Sequence, residues 1–106
     1  MSKIEKFLDE NTKYEIILHP EEAQPEDLFE HPEDVAYVYE SLENGNEWAW
    51  CQVELKGTCC GVTFSDFLGG CSYEDEEDFK ESGYYEDMIA EVKIQLMETV
   101  KSLQVA

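Results

Sequence analysis

Arginine is absent from this chain, and base of any kind is scarce. Its 106 residues include 7 basic side chains, all lysine, against 26 Asp and Glu, for a formal net charge of −19 at neutral pH. Binding to DNA, RNA or an anionic membrane surface draws on Lys and Arg to displace counterions from phosphate, and a field of this sign repels such polyanions. Direct nucleic-acid binding and membrane-surface binding are therefore not expected. Long hydrophobic runs are missing too. No stretch approaches the roughly 18 apolar residues of a spanning helix, and MSKIEKFLDENTKYEI has neither the apolar run nor the small-residue cleavage site of a secretory signal. A cytoplasmic location follows as the expectation. With it come reduced thiols at Cys51, Cys59, Cys60 and Cys71 rather than two disulfides. Internal repeats are lacking as well.

Apolar residues are not lacking. Hydrophobic side chains make up 42% of the chain and aromatics 12%, too many for a disordered acidic tail. The length suits one domain over residues 1–106 with a single modest core.

Ile4, Phe7 and Leu8 allow a short helix at the start, and KYEIILHP reads as a strand that Pro20 ends. Pro20 to Asp34 holds Pro20, Pro25 and Pro32 with Glu21, Glu22, Glu26, Asp27, Glu30, Glu33 and Asp34 and no lysine. This is an acidic loop at about 20–34, with Leu28 and Phe29 as its anchors. Pro32 suits the first position of a helix whose stripe is Val35, Val38, Tyr39 and Leu42, stopped at Asn44-Gly45. In EWAWCQVELKG, alternation sets Ala49, Cys51, Val53 and Leu55 on one face and Trp48, Trp50, Gln52 and Glu54 on the other.

Lys56-Gly57 reads as the hairpin turn, followed by a partner strand with Cys60, Val62 and Phe64 on one side. Gly69-Gly70 marks a bend, and Ser72 is placed to cap an acidic helix from about Glu74 to Glu81. Ser82-Gly83 interrupts it. The longest stripe follows: Tyr85, Met88, Ile89, Val92, Leu96, Val100 and Leu103. The order of elements predicts an α+β fold in which a three-stranded antiparallel sheet with a central hairpin packs against a long C-terminal helix, with two shorter helices beside it.

Four cysteines invite zinc, but their spacing lacks the close C-x-x-C pairs of structural sites, and adjacent Cys59 and Cys60 on a strand would point to opposite faces. Buried thiols packing as small hydrophobes fit better. A catalytic thiol would need a cationic neighbour, which this field does not offer. His19 and His31 belong to no recognised pair. Calcium could be drawn to Glu74, Asp75, Glu76, Glu77 and Asp78, yet an EF-hand loop places its oxygens at alternate positions around a central Gly, and this run is continuous. A small zinc- or calcium-binding domain, or an accessory protein of no specific inhibitory role, is the alternative reading. No cofactor is implied, and no nucleophile–base pair suggests an enzyme.

Between Lys13 and Lys56 every carboxylate stands without a lysine, and from Gly57 to Phe79 six more follow in the same way. Like charges at such spacing cost stability, which points to a beneficiary outside the chain. A compact chain of this length would have a diameter of roughly 33 Å, over which duplex DNA carries ~19 phosphates. The expected partner is thus a basic host protein, of a nucleic-acid-binding kind. Glu21, Glu22, Glu26, Asp27, Glu30, Glu33, Asp34, Glu74 to Asp78 and Glu81 would supply the charge. Trp48 and Trp50, with Tyr73, Tyr84 and Tyr85, are candidate aromatic anchors, or else core.

The segment from Gly45 to Met88, with its W-A-W-C and L-G-G-C-S-Y strings, resembles a family of small acidic proteins encoded by tailed phages and prophages. That resemblance implies a phage context. In size and charge, though not in motif, the chain is also similar to DNA-mimic anti-restriction and anti-CRISPR proteins. That similarity implies a non-enzymatic inhibitor in the host cytoplasm.

Overall fold

The structure, a computed structural model, describes residues 3–105, with side chains through 102. Leu103, the last of the expected stripe, lies outside the described side chains. The chain runs through α1 (Lys3–Asn11), β1 (Lys13–His19), α2 (Pro25–Leu28), α3 (Pro32–Glu43), a 3-10 turn (Glu47–Ala49), β2 (Cys51–Cys59), β3 (Val62–Cys71), α4 (Glu76–Lys80) and α5 (Tyr84–Val105). The fold is α+β: one antiparallel sheet in the order β1-β2-β3, with α5 packed across β2 and β3. Five helices are formed among the described residues. The acidic loop is shorter than expected because α2 folds within it.

Alternation in β2 is complete. Cys51, Val53, Leu55, Gly57 and Cys59 are buried, while Gln52, Glu54, Lys56 and Thr58 face away from α5. Across the ladder Ile16 meets Leu55, and Leu18 meets Val53. From α5 the buried residues Met88, Val92, Leu96 and Val100 close the core at helical spacing. Leu8 brings α1 onto the same core, and the Lys93 ammonium holds the Asp9 carboxylate at 2.7 Å, which raises the lysine's pKa.

Two local expectations are corrected. The hairpin turn is Cys60-Gly61, with φ of 56° and 77°. Both residues lie in the left-handed region, as a two-residue type I′ turn requires. Lys56-Gly57 instead continues the strand, because a glycine is needed where α5 comes closest. A Cβ on Gly57 would stand 2.6 Å from Val92 Cγ1. Cys60 therefore belongs to the turn and not to the Val62–Phe64 face. The cap of the acidic helix is Asp75, whose carboxylate accepts from the Asp78 N–H at 2.9 Å, rather than Ser72.

The molecule is also longer than a compact chain of its size. Its radius of gyration is 16.9 Å and its extents are 55 × 22 × 22 Å. β1 ends at His19 opposite Gln52, and residues 20–50 then build out from that end of the sheet as α2, α3 and the 3-10 turn. Nineteen net charges over 55 Å amount to about one per 2.9 Å. That is near the density of one nucleic-acid strand, one per ~3.4 Å, and well below the ~1.7 Å of a duplex.

Candidate protein-binding surface

Residues 20–30 carry too much like charge to pack on themselves, so their position depends on ties to the sheet. Trp50 supplies one. It is 8% exposed, donates its indole N–H to the Ala23 carbonyl at 2.8 Å, and tilts against Phe29 with 5.9 Å between ring centroids. Glu21 supplies another, its carboxylate accepting from the Gly70 N–H at 3.0 Å and the Ala23 N–H at 3.3 Å. Gly70 sits in the β3 irregularity where β2 and β3 shift register, with φ 63°. A Cβ there would meet Leu28 Cδ1 at 2.7 Å, so Leu28 covers this bulge although its outer side remains exposed.

The second acidic block is held by aromatic rings. Phe79 of α4 is fully buried among Trp48, Tyr73 and Tyr85, with centroid distances of 5.4, 5.3 and 6.0 Å. Trp48 and Trp50 thus do not share a strand face, because the 3-10 turn at 47–49 rotates Trp48 toward α4 before β2 begins. Trp48 serves the core and Trp50 fastens the acidic segment.

Several carboxylates singled out from sequence have work inside the chain. Asp27 accepts from the Gln24 N–H at 3.1 Å, Asp78 from the Glu74 N–H at 3.0 Å, and Asp75 caps α4. Each satisfies an orphan N–H at a helix N-terminus and favours its dipole, an internal benefit that charge counting alone overlooks. Glu26 shares a hydrogen bond with Tyr39, which raises that phenol's pKa, and Glu76 pairs with Lys80 at 3.5 Å. Glu22, Glu30, Glu33, Asp34, Glu74, Glu77 and Glu81 have no ion-pair or side-chain hydrogen-bond partner among the described residues.

The start of the second acidic block faces α3. A cleft of about 110 Å³ is walled by Tyr37 and Ser41 of α3 on one side and by Ser72, Tyr73, Glu74 and Asp78 on the other. The Tyr73 N–H to Trp48 carbonyl bond at 2.7 Å ties the second wall to the 3-10 turn. Helical spacing sets Glu33 and Glu40 beside Tyr37, which is 60% exposed. The cleft between α3 and the start of α4 thus has Glu74 and Asp78 in its lining, with Glu33 of the first block one helical turn from Tyr37. Tyr37 was not among the residues expected from sequence. Only its place at i+4 from Glu33 and i−4 from Ser41 could have indicated it.

Elsewhere, the sheet face turned away from α5 carries a row of three polar groups. His19 Nε2 lies 2.7 Å from Glu54 Oε1, and the Ser65 hydroxyl donates to Glu54 Oε2 at 2.6 Å. Ser65 first, then His19, hold the Glu54 carboxyl below its usual range. The hydroxyl is bonded to the carboxylate and not to the imidazole, so the three groups do not follow the hydroxyl–imidazole–carboxylate order of a Ser-His-Asp triad. Cys51, Cys59 and Cys71 are buried and Cys60 is exposed, all as free thiols. Burial foremost pushes the Cys51 thiol up to about 12 and raises Cys71, while a hydrogen bond with Cys59 at 3.5 Å raises Cys60. Thiolates, the form that binds metal or attacks carbon, are thereby disfavoured. Among the described residues no group of three His, Cys, Asp or Glu side chains could hold a metal ion. No described helix is long and apolar enough to cross a membrane.

Trp50→Phe tests the tether. Phenyl lacks both the N–H and the pyrrole ring of this buried side chain, so the expected cost exceeds the about 0.5–1.5 kcal/mol of the hydrogen bond alone by the loss of packing. Amide exchange measured by NMR should quicken across residues 21–29 and stay unchanged in β2 and β3.

No protein-family model, curated protein or solved structure matches this chain.

Proposed function

We propose that the protein is a non-enzymatic binder of a basic, nucleic-acid-binding host protein, occupying that partner's nucleic-acid groove as a polyanion. The observation that carries this reading is the cleft between α3 and the start of α4, which has Glu74 and Asp78 in its lining, Glu33 one helical turn from Tyr37, and one wall drawn from a segment, residues 14–55, that contains no lysine. Glu22, Glu30, Glu33, Asp34, Glu74, Glu77 and Glu81 in these two blocks can meet a cationic surface without first breaking a side-chain hydrogen bond or ion pair. A charge spacing near that of a single strand suits a groove that binds one strand or tracks one backbone. Tyr37, exposed beside the cleft, supplies an aromatic contact of the kind that anchors such interfaces. The phage resemblance in the Gly45–Met88 segment makes a host defence protein, of the restriction or CRISPR type, the natural target, met in the host cytoplasm.

The test uses carboxylates with no side-chain hydrogen bond or ion pair among the described residues. A Glu30→Lys, Glu33→Lys, Glu74→Lys and Glu77→Lys variant should keep its circular dichroism spectrum, since Asp75 and Asp78 still cap α4. Its affinity for a partner captured from bacterial lysate should fall about tenfold or more at physiological salt, mostly through a slower on-rate. Unchanged affinity and unchanged salt dependence would sink the proposal.

A further inference from the structure

On the other side of α3 lies a second groove, of about 410 Å³, within the size range of ligand-binding clefts. Leu18 from the end of β1, Leu42 from the end of α3 and Trp50 form apolar walls, with Cys51 among the lining residues. Two carboxylates, Glu21 and Glu47, also line it. Glu21 is fixed by the Gly70 and Ala23 N–H groups, while Glu47 is exposed at the start of the 3-10 turn. Their field reaches the groove's lining: after burial and Cys71, Glu21 and then Glu47 are the groups that raise the Cys51 thiol. His19 at the rim already lies against Glu54 and so does not neutralise them.

The lining selects its occupant. An anion is repelled, and an apolar side chain would strip water from Glu47 without giving it a partner and from the remaining lone pairs of Glu21. An ammonium satisfies the charge but is strongly hydrated and meets carboxylates as a point. A guanidinium is weakly hydrated, lies flat on aromatic and aliphatic walls, and presents a fork of donors to more than one acceptor. We propose that this groove takes an arginine side chain of the basic protein partner, its methylene stem against Leu18 and Leu42 and its guanidinium on Glu21 and Glu47. The inference rests on the reading of the protein as a binder of a basic partner, and adds to it a point of specificity. Association by charge alone would be indifferent to whether the partner presents Lys or Arg.

Three uncharged-ended peptides, acetyl-Gly-Arg-Gly-amide and its lysine and citrulline counterparts, are titrated against the 15N-labelled full chain while backbone and Trp50 indole resonances are followed. The arginine peptide is expected to produce saturable shifts at Leu18, Glu21, Leu42, Glu47 and the Trp50 indole. It should bind several-fold more tightly than the lysine peptide, with no effect from citrulline. Glu47→Gln, an exposed substitution, should weaken it about tenfold, as loss of a charge-assisted bond does. Shifts spread evenly over the acidic surface, equal response to Lys and Arg, or insensitivity to Glu47→Gln would each overturn the groove assignment. The four-lysine variant separates the two ideas. If it still loses its captured partner while the arginine peptide leaves the groove unshifted, the groove assignment alone falls, whereas unaltered partner binding by that variant removes the wider reading.

Discussion

Phe79→Ala is expected to remove about 3–5 kcal/mol of stability, the range for emptying a fully buried aromatic site. A domain of this size holds roughly 5–15 kcal/mol in all, so the variant should unfold at a much lower urea concentration. The cost is high because Phe79 is the shared contact of Trp48, Tyr73 and Tyr85, rings contributed by the 3-10 turn, the β3–α4 connection and α5. A five-residue helix such as α4 has no stability of its own in water, and Phe79 is its one buried residue. Amides of residues 76–81 should therefore exchange at nearly unprotected rates even under conditions where the sheet survives. Phe67→Ala, at a ring that is 53% exposed on the far sheet face, should change stability by only about 0.5 kcal/mol. Comparable urea midpoints for the two variants would contradict the packing described for α4.

Gly57→Ala is expected to destabilise by about 1–3 kcal/mol, through overpacking rather than loss of contact. Replacing glycine by alanine inside a strand ordinarily gains stability through lower chain entropy. Here the new methyl would stand 2.6 Å from Val92 Cγ1, 3.2 Å from Tyr14 Cε1 and 3.3 Å from Leu96 Cδ1, so α5 must move off the sheet. Val92→Ala removes the nearest of these atoms. The double variant should consequently be less destabilised than the two single effects added together, a coupling that urea titration of the four proteins resolves. A neutral or stabilising Gly57→Ala would mean that α5 does not approach β2 this closely.

Gly57 also shows where sequence reading reached its limit. Lys-Gly between two apolar alternations satisfies the local rule for a hairpin turn, and nothing in the neighbouring residues reveals that Val92 and Leu96, over thirty residues later, require a missing Cβ. The true turn, Cys60-Gly61, was obscured because Cys rarely adopts a left-handed φ. By contrast, α3 was legible from Pro32, Asn44-Gly45 and its apolar spacing, α5 from its long apolar stripe, and β1 from its β-branched run and Pro20, since those signals are local. The buried stripe of α5 matches the alternation of β2, so the packing of helix on sheet could be anticipated.

The surface was legible in composition and only partly in arrangement. The acidic blocks were visible as lysine-free runs, but the approach of the second block to α3 across one cleft depends on the Tyr73 to Trp48 backbone bond and on the Phe79 ring cluster, contacts between residues far apart in the chain. Which carboxylates are occupied as caps was likewise hidden, because Asp75 and Asp78 read as ordinary members of a charged run. The length of 55 Å could not be read from residue count, and it changes the comparison from a duplex to a single strand.

The most direct measurement is a competition: a basic partner captured from lysate is loaded with a fluorescent nucleic-acid strand, and this protein is titrated in at several salt concentrations while anisotropy is followed. Full displacement of the strand is predicted, with a competition constant whose logarithm weakens linearly against the logarithm of salt as bound counterions are released. A ternary complex that retains the strand, or displacement indifferent to salt, would contradict the proposal that the acidic cleft stands in for a polynucleotide.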